Sequence, residues 1–181
     1  MSRISVIGNV NIDILVWPAT ELPPPGADLP VESIQVRAAG SAGNTALALV
    51  RLGHRPLLVG CVGDDHFGQF ILEELASAGV EEGVVVLPDE PTGISIAFEG
   101  PGRDRSFLTL LGSLQRLRAS MVPSEALAKD FVLFCGYFSL PSLRGEPTIR
   151  LLERVRVDGG YTLFDCDWDP GGWTEESREE V

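Results

Sequence analysis

The run of residues that most limits the fold is Ala38 to Gly68, AAGSAGNTALALVRLGHRPLLVGCVGDDHFG. It opens with a turn of small residues, Ala39-Gly40-Ser41-Ala42-Gly43, and Asn44 with Thr45–Leu52 then reads as a helix that Gly53 stops. Leu57–Val62 follows as a buried strand, Gly63-Asp64-Asp65 turns the chain, and a second helix over Phe67–Ala78 takes Gly68 inside it. Glycines let a backbone bend sharply and approach a ligand closely, because there is no Cβ in the way. A helix that starts at such a turn directs unpaired N–H groups and its positive dipole end at whatever occupies it. That is a place for a hydroxyl-rich or anionic ligand.

The rest of the chain supplies the frame. Ile4–Ile7 reads as a short strand ending at Gly8, and Asn9–Val16 alternates polar and apolar residues as a half-exposed strand does. That alternation puts Asn9, Asn11 and Asp13 on one face. An ionised Asp13 accepts hydrogen bonds at both oxygens and so can hold two hydroxyls, although an ordinary solvated strand face has the same pattern. Leu22-Pro23-Pro24-Pro25-Gly26 is a rigid turn, and Val31–Val36 is strand-like. Ile94, Ile96 and Phe98 alternate with Ser95 and Ala97, Gly100–Asp104 turns, and Ser106–Leu110 returns, which predicts a hairpin. Core strands are expected at Ile4–Ile7, Leu57–Val62, Phe131–Cys135 and Tyr161–Phe164. Helices are expected between them at Asn44–Leu52, Phe67–Ala78, Ser124–Lys129 and Thr148–Val155. Strands alternating with helices imply a mostly parallel sheet flanked by helices, an α/β fold.

Composition narrows the function. With 181 residues, of which 44% are hydrophobic, the chain can build one domain with an attached subdomain. A net charge of −12 argues against a nucleic-acid partner, whose phosphates demand a basic face, and against an anionic membrane surface. No apolar run reaches the length of a membrane span, and Met1-Ser2-Arg3 leads straight into a strand, unlike a signal peptide. Cys61, Cys135 and Cys166 are odd in number and widely spaced, as reduced thiols of a cytoplasmic protein are. No zinc site is expected from them. Asp165, Asp167, Asp169 and Glu176 copy part of a calcium-loop spacing, but Pro170 stands where that loop needs glycine, so no metal site is expected there either.

Other catalytic patterns fit poorly. Ala39–Gly43 has the look of a hydrolase nucleophile turn, but His54 and His66 come too early in the chain for that order. There is no P-loop lysine motif and no dinucleotide fingerprint. Arg103 and Arg105 sit at the hairpin turn, where an acidic or phosphorylated group can meet them.

Gly40-Ser41-Ala42-Gly43-Asn44, then Leu52-Gly53, then Val62-Gly63-Asp64-Asp65 with Phe67-Gly68, resembles the N-terminal signature of the ribokinase-like (PfkB) carbohydrate kinases. The resemblance implies a helix-flanked sheet with a small β lid, built here from about 12–37 and 93–110. It implies transfer of the γ-phosphoryl of ATP to a hydroxyl of a sugar or nucleoside, with Mg²⁺ assisting, in a cytoplasmic enzyme that can dimerise through the lid. Carried over residue by residue, the substrate contacts are Asn11, Asp13, Gly40, Ser41 and Asn44. The Gly-rich turn that holds the catalytic base and the ATP site does not follow Gly172, so residues 1–181 correspond to the substrate-binding part of the pattern. A sugar-binding module or an inactive fragment is the alternative. Ser41 and Ala39 depart from the ribose-specific pattern, and the aromatic pair Tyr137-Phe138 points to a larger or less polar ligand. Asp165–Trp173 resembles the Asp-containing stretch on the active-site side, and the short helix expected after Thr174 has no apolar face to bury.

Overall fold

The structure is a computed structural model that describes residues 3–181, apart from the side chains of Glu82 and Arg103. Met1-Ser2 and the Arg103 side chain, both considered above, lie outside the described residues. Nine strands can be numbered in chain order: β1 Ile4–Gly8, β2 Asn11–Trp17, β3 Ser33–Ala39, β4 Leu57–Gly63, β5 Glu81–Leu87, β6 Ile94–Gly100, β7 Arg103–Leu110, β8 Phe131–Cys135 and β9 Tyr161–Asp165. The helices are α1 Ser41–Arg51, α2 His66–Ala78, α3 Ser124–Leu127, α4 Glu146–Val157 and α5 Glu175–Glu180.

Five strands form a parallel sheet in the order β5-β4-β1-β8-β9. Its inner strands β4, β1 and β8 are largely apolar runs because both faces are covered. Val6, Leu58 and Val62 face one side, where they pack with Ala42 and Ala46 of α1 and Ile71 and Leu75 of α2. Ile7, Leu57, Val59, Cys61 and Phe134 face the other, against Leu114, Leu140 and Leu143 and against Leu151 and Val155 of α4. Edge strand β9 differs: Tyr161, Leu163 and Phe164 are exposed.

Strand β5 was not expected from the sequence. It begins with Glu81-Glu82-Gly83, which masks the apolar run Val84-Val85-Val86, and its pairing with β4 supplies what local propensity does not. Two starts also shift. Strand β2 begins at Asn11, leaving Asn9 in the turn before it, and α1 begins at Ser41 rather than Asn44.

The remaining strands make a second, mixed sheet in the order β3-β2-β6-β7. Cross-strand register sorts its two faces. Asp13 stands opposite Arg37 and Ser95, and Ser95 stands opposite Thr109, so these residues share one polar face. Ile14 stands opposite Val36 and Ile96, and Ile96 opposite Leu108, on an apolar reverse.

A carboxylate joins the two sheets. Asp65 caps α2 by accepting a 2.8 Å bond from the Gly68 N–H at Oδ1. It also accepts from the Thr92 N–H at Oδ2 (2.8 Å) and from the Thr92 hydroxyl at Oδ1 (2.7 Å). Thr92 Oγ1 in turn accepts from the N–H of Gly63 at the end of β4 (2.9 Å). Since Gly93 leads directly into β6, this node ties the second sheet to the first. A Cβ on Gly68 would lie 2.1 Å from the Gly63 carbonyl oxygen, so the turn requires glycine there.

Burial pushes the Asp65 carboxyl up, but the bonds from Thr92, Gly68 and Phe67 outweigh it and hold the group below the usual carboxylate value. Its contribution to stability is therefore complete above the unfolded value and is lost as pH falls through the folded one. Asp65→Asn keeps a capping oxygen but turns an amide N–H toward the Thr92 N–H. The expected loss at neutral pH is about 1–2 kcal/mol, shrinking as the pH drops below about 4. Urea unfolding of both proteins at pH 7 and at pH 3 measures it.

Candidate functional site

The first strands of the two sheets meet where β1 ends and α1 begins. Gly40 takes φ 88°, and a Cβ there would lie 2.4 Å from the Asn9 carbonyl oxygen and 2.7 Å from Asn11 Oδ1. Only glycine lets the start of α1 come this close. Asn9, placed by sequence alone on an open strand face, is instead buried, and its Oδ1 accepts from the Ala42 N–H (3.4 Å). The Asn9 carbonyl accepts from the Gly43 N–H at 3.4 Å. Two N–H groups of the first turn of α1 are thus taken up by Asn9.

Around this junction lies a cleft of about 960 Å³, and its lining includes all five residues singled out from the sequence: Asn11, Asp13, Gly40, Ser41 and Asn44. Asn11 is buried, and its amide donates to Asp13 Oδ1 (2.8 Å) and to the Ile12 carbonyl (3.1 Å). The bond engages Asp13 Oδ1, and the carboxylate lines the cleft. Burial raises the Asp13 carboxyl above its usual value, against the lowering pull of the Asn11 amide and of Arg105 and Arg37. Ser41 opens α1, and its hydroxyl donates to Asp167 Oδ2 at 3.5 Å. Asn44, one turn further on, is exposed to the cleft.

The polar face of the second sheet roofs the cleft with Ser95, Thr109, Arg105 and Phe107. Ser95 and Thr109 hydroxyls lie 3.0 Å apart. Reading the sequence missed both, because their place follows from the register of β2, β6 and β7 and not from local pattern. Arg105 lines the cleft while its guanidinium pairs with Glu99 at 3.1 Å. The lining also includes Phe138, Asp167 and Trp168. Of the aromatic pair noted in the sequence, Phe138 reaches the cleft. Tyr137 is turned into the core, where its hydroxyl donates to Glu180 at 2.6 Å and anchors α5 by a polar contact.

Other candidates lie elsewhere. His54 and His66 do not line the cleft. The acidic run after β9 binds its own backbone: Asp167 accepts from the Trp168 N–H, and Asp169 accepts from Gly171 and Trp173. Cys61 and Cys135 are buried thiols, and burial pushes Cys135 up to about 11. Among the described residues, no three His, Cys, Asp or Glu side chains come together as metal ligands would. No described helix is long and apolar enough to cross a membrane.

Comparison with known proteins bears on what this cleft serves. The chain is 39% identical over 178 residues to ribokinase of Bacillus subtilis (strain 168), a match spanning 87% of this chain and 60% of that protein. It is 28% identical over 151 residues to 5-dehydro-2-deoxygluconokinase of Geobacillus thermodenitrificans (strain NG80-2), over 78% of this chain and 43% of that one. Among solved structures, ribokinase from Cryptococcus neoformans var. grubii serotype A in complex with ADP superposes with a TM-score of 0.77 at 25% identity, covering 99% of this chain and 53% of that chain. The chain thus spans about half the length of such relatives. The profile of the pfkB family carbohydrate kinases matches residues 1–179, and the chain belongs to that family.

Proposed function

We propose that this chain is the substrate-binding half of an ATP-dependent kinase that phosphorylates a hydroxyl of a sugar or nucleoside. The observation that carries the reading is the meeting of Asn11, Asp13, Gly40, Ser41 and Asn44 in one cleft under the polar face of the second sheet. In this reading that sheet is the lid. Asp13 accepts from substrate hydroxyls, the Asn11 amide holds its carboxylate in place, and the start of α1 presents Ser41 and Asn44 beside it. The lid excludes water, so that hydroxyls are held in one orientation at low dielectric.

ATP, with Mg²⁺, supplies the phosphoryl group in such a reaction. In this reading the part of residues 1–181 is capture and orientation of the acceptor. Residues 1–181 would act with a further ATP-binding part, for which the open edge of β9 is a place to join. The enzyme would be cytoplasmic, with a small-molecule substrate and no nucleic-acid or membrane partner. A sugar-binding module that uses the same cleft without phosphoryl transfer is separated from a kinase by release of ADP in the presence of sugar.

Binding is the direct test. Unphosphorylated sugars and nucleosides should bind without ATP, and Asp13→Ala should abolish that binding with the fold intact. Unchanged affinity in the variant, measured by calorimetry, overturns the reading. Burial makes the ionised Asp13 a cost to the fold, a cost relieved as pH falls through its raised value. Asp13→Asn is therefore expected to melt no lower than the parent at pH 7 while binding at least about tenfold more weakly. In the parent, affinity should fall on acidification at a higher pH than an ordinary aspartate would dictate.

The reverse of the lid fits a second copy of the chain. Ile34, Val36, Leu108 and Leu110 share this apolar face and are 62%, 44%, 54% and 49% exposed. The same face on two copies is self-complementary about a two-fold axis. Sedimentation should show a dimer, and Leu108→Asp should convert it to a monomer.

A further inference from the structure

The polar roof of the cleft is fastened to the first sheet at one hydroxyl. Thr92 is fully buried, stands two residues before β6 and has every polar atom of its side chain in use. Its hydroxyl accepts from the Gly63 N–H (2.9 Å) and donates to Asp65 Oδ1 (2.7 Å), while its own N–H donates to Asp65 Oδ2 (2.8 Å). Glycines hold the backbone around it to one path. A Cβ on Gly63 would lie 2.2 Å from the Glu90 carbonyl oxygen and 2.6 Å from the Thr92 nitrogen, and one on Gly112 would lie 2.3 Å from the Pro91 carbonyl oxygen. That Pro91 carbonyl accepts from the Ser113 N–H at 2.7 Å, and the buried Ser113 hydroxyl donates to the Cys61 carbonyl at 3.3 Å. Both ends of the β6–β7 hairpin are therefore held at the carboxyl end of β4.

From Thr92 a short run of bonds leads to Asp13. Gly93, the next residue, accepts from the Ile12 N–H at 2.9 Å, at the start of the pairing between β2 and β6. Ile12 lies between the two site residues Asn11 and Asp13. Its carbonyl accepts from the Asn11 amide at 3.1 Å, and that same amide donates to Asp13 Oδ1 at 2.8 Å. The place of Asp13 thus depends on where Gly93 holds Ile12, and Gly93 depends on Thr92. Strand β2 is also joined to β1 through Asn9 and Val10, but a sheet attached along one line can still turn about it. The hold at Thr92, on the other side of β2 from β3, removes that freedom.

We propose that Thr92 is a positioning residue for ligand binding: its hydroxyl, bridging Gly63 and Asp65, fixes the base of β6 and, through Ile12, the place of the Asp13 carboxylate. Its effect on affinity rests on the proposed function of the cleft, whereas its hold on the base of β6 is measured without any ligand. The chemistry required at residue 92 is narrow. Serine keeps both hydroxyl bonds. Valine has the shape of threonine but leaves the Gly63 N–H without its acceptor and Asp65 Oδ1 without one of its donors, in a buried site.

The test compares the parent protein with Thr92→Val, Thr92→Ser and Ser5→Ala, at a temperature where all four are folded. Ser5 is buried, donates to the Ala126 carbonyl and does not line the cleft, so its loss weakens the fold without touching the roof. Amide hydrogen exchange reads the base of β6 with no ligand present. In Thr92→Val the Ile12 amide should exchange about tenfold or more faster, over and above any rise at the amides of β1, and Thr92→Ser and Ser5→Ala should show no such excess. Calorimetry with ribose, fructose and adenosine reads the consequence for binding. Whichever of these the parent binds should bind about tenfold more weakly to Thr92→Val, and within about twofold of the parent to Thr92→Ser and Ser5→Ala. In an Asp13→Asn background the loss from Thr92→Val should shrink to about twofold or less, because the carboxylate it positions is gone. No excess exchange at Ile12, or an affinity loss that is equal in the two backgrounds or equal in Ser5→Ala, overturns the positioning role and leaves the function of the cleft standing. Binding of none of the three probes by the parent overturns the proposed function, and the part of Thr92 in binding with it.

Discussion

The contact on which the site depends is the approach of the Gly40 turn to Asn9 and Asn11. A single Cβ at residue 40 would meet the Asn9 carbonyl oxygen at 2.4 Å, so no other side chain lets α1 begin where it does. From that one close approach follow the burial of Asn9 beneath the first turn of α1 and the placing of Ser41 and Asn44 beside Asp13. Asn9 also packs against the end of β8, where a Cβ on Gly136 would lie 2.1 Å from its Oδ1. The ends of β1 and β8 and the start of α1 are thereby locked together. The cleft lies at the carboxyl ends of parallel strands, where an open α/β sheet leaves a crevice.

Electrostatics and the proposed role pull in different directions at Asp13. The fold would be better served by a neutral group, because burial penalises the ionised carboxyl more than Asn11, Arg105 and Arg37 compensate. An acceptor for hydroxyls needs that same charge. Asp65 is the contrasting case: Thr92, Gly68 and Phe67 supply enough hydrogen bonds to hold the carboxylate below its usual value, and its work is structural. The two aspartates of one chain are thus perturbed in opposite directions, Asp13 by burial at the cleft and Asp65 by the hydrogen bonds of the framework.

What the sequence made legible was local. The turn at Gly40, the stop at Gly53 and the helix over α2 are written in neighbouring residues, and the fold class follows from alternating strands and helices. The five candidate site residues lie on such local features and do line one cleft. Strand β5 escaped because its first three residues are polar or glycine and its pairing with β4 is a tertiary fact. Ser95 and Thr109 escaped because they become neighbours of Asp13 only through register across three strands. That the stretch after β9 lines the cleft is in keeping with the resemblance, but the exposed indole within it had no signal. That depends on two left-handed residues and on Asp169 turning inward, none of which has a signal in the pattern of side chains.

The second sheet shows how one register can serve two purposes. A strand places alternate residues on opposite faces, so β2 cannot present Asp13 to the cleft without presenting Ile12 and Ile14 to the reverse. Near the junction that reverse face is used, since Ile12 is buried against α1 and α2. Further out the helices no longer cover it, and Ile34, Val36, Leu108 and Leu110 stand in water. A polar substitution at these four positions would cost the cleft nothing, because they point away from it. The side chains that line the cleft and those of the apolar reverse alternate along the same strands, so a shift of register by one residue would exchange the two faces.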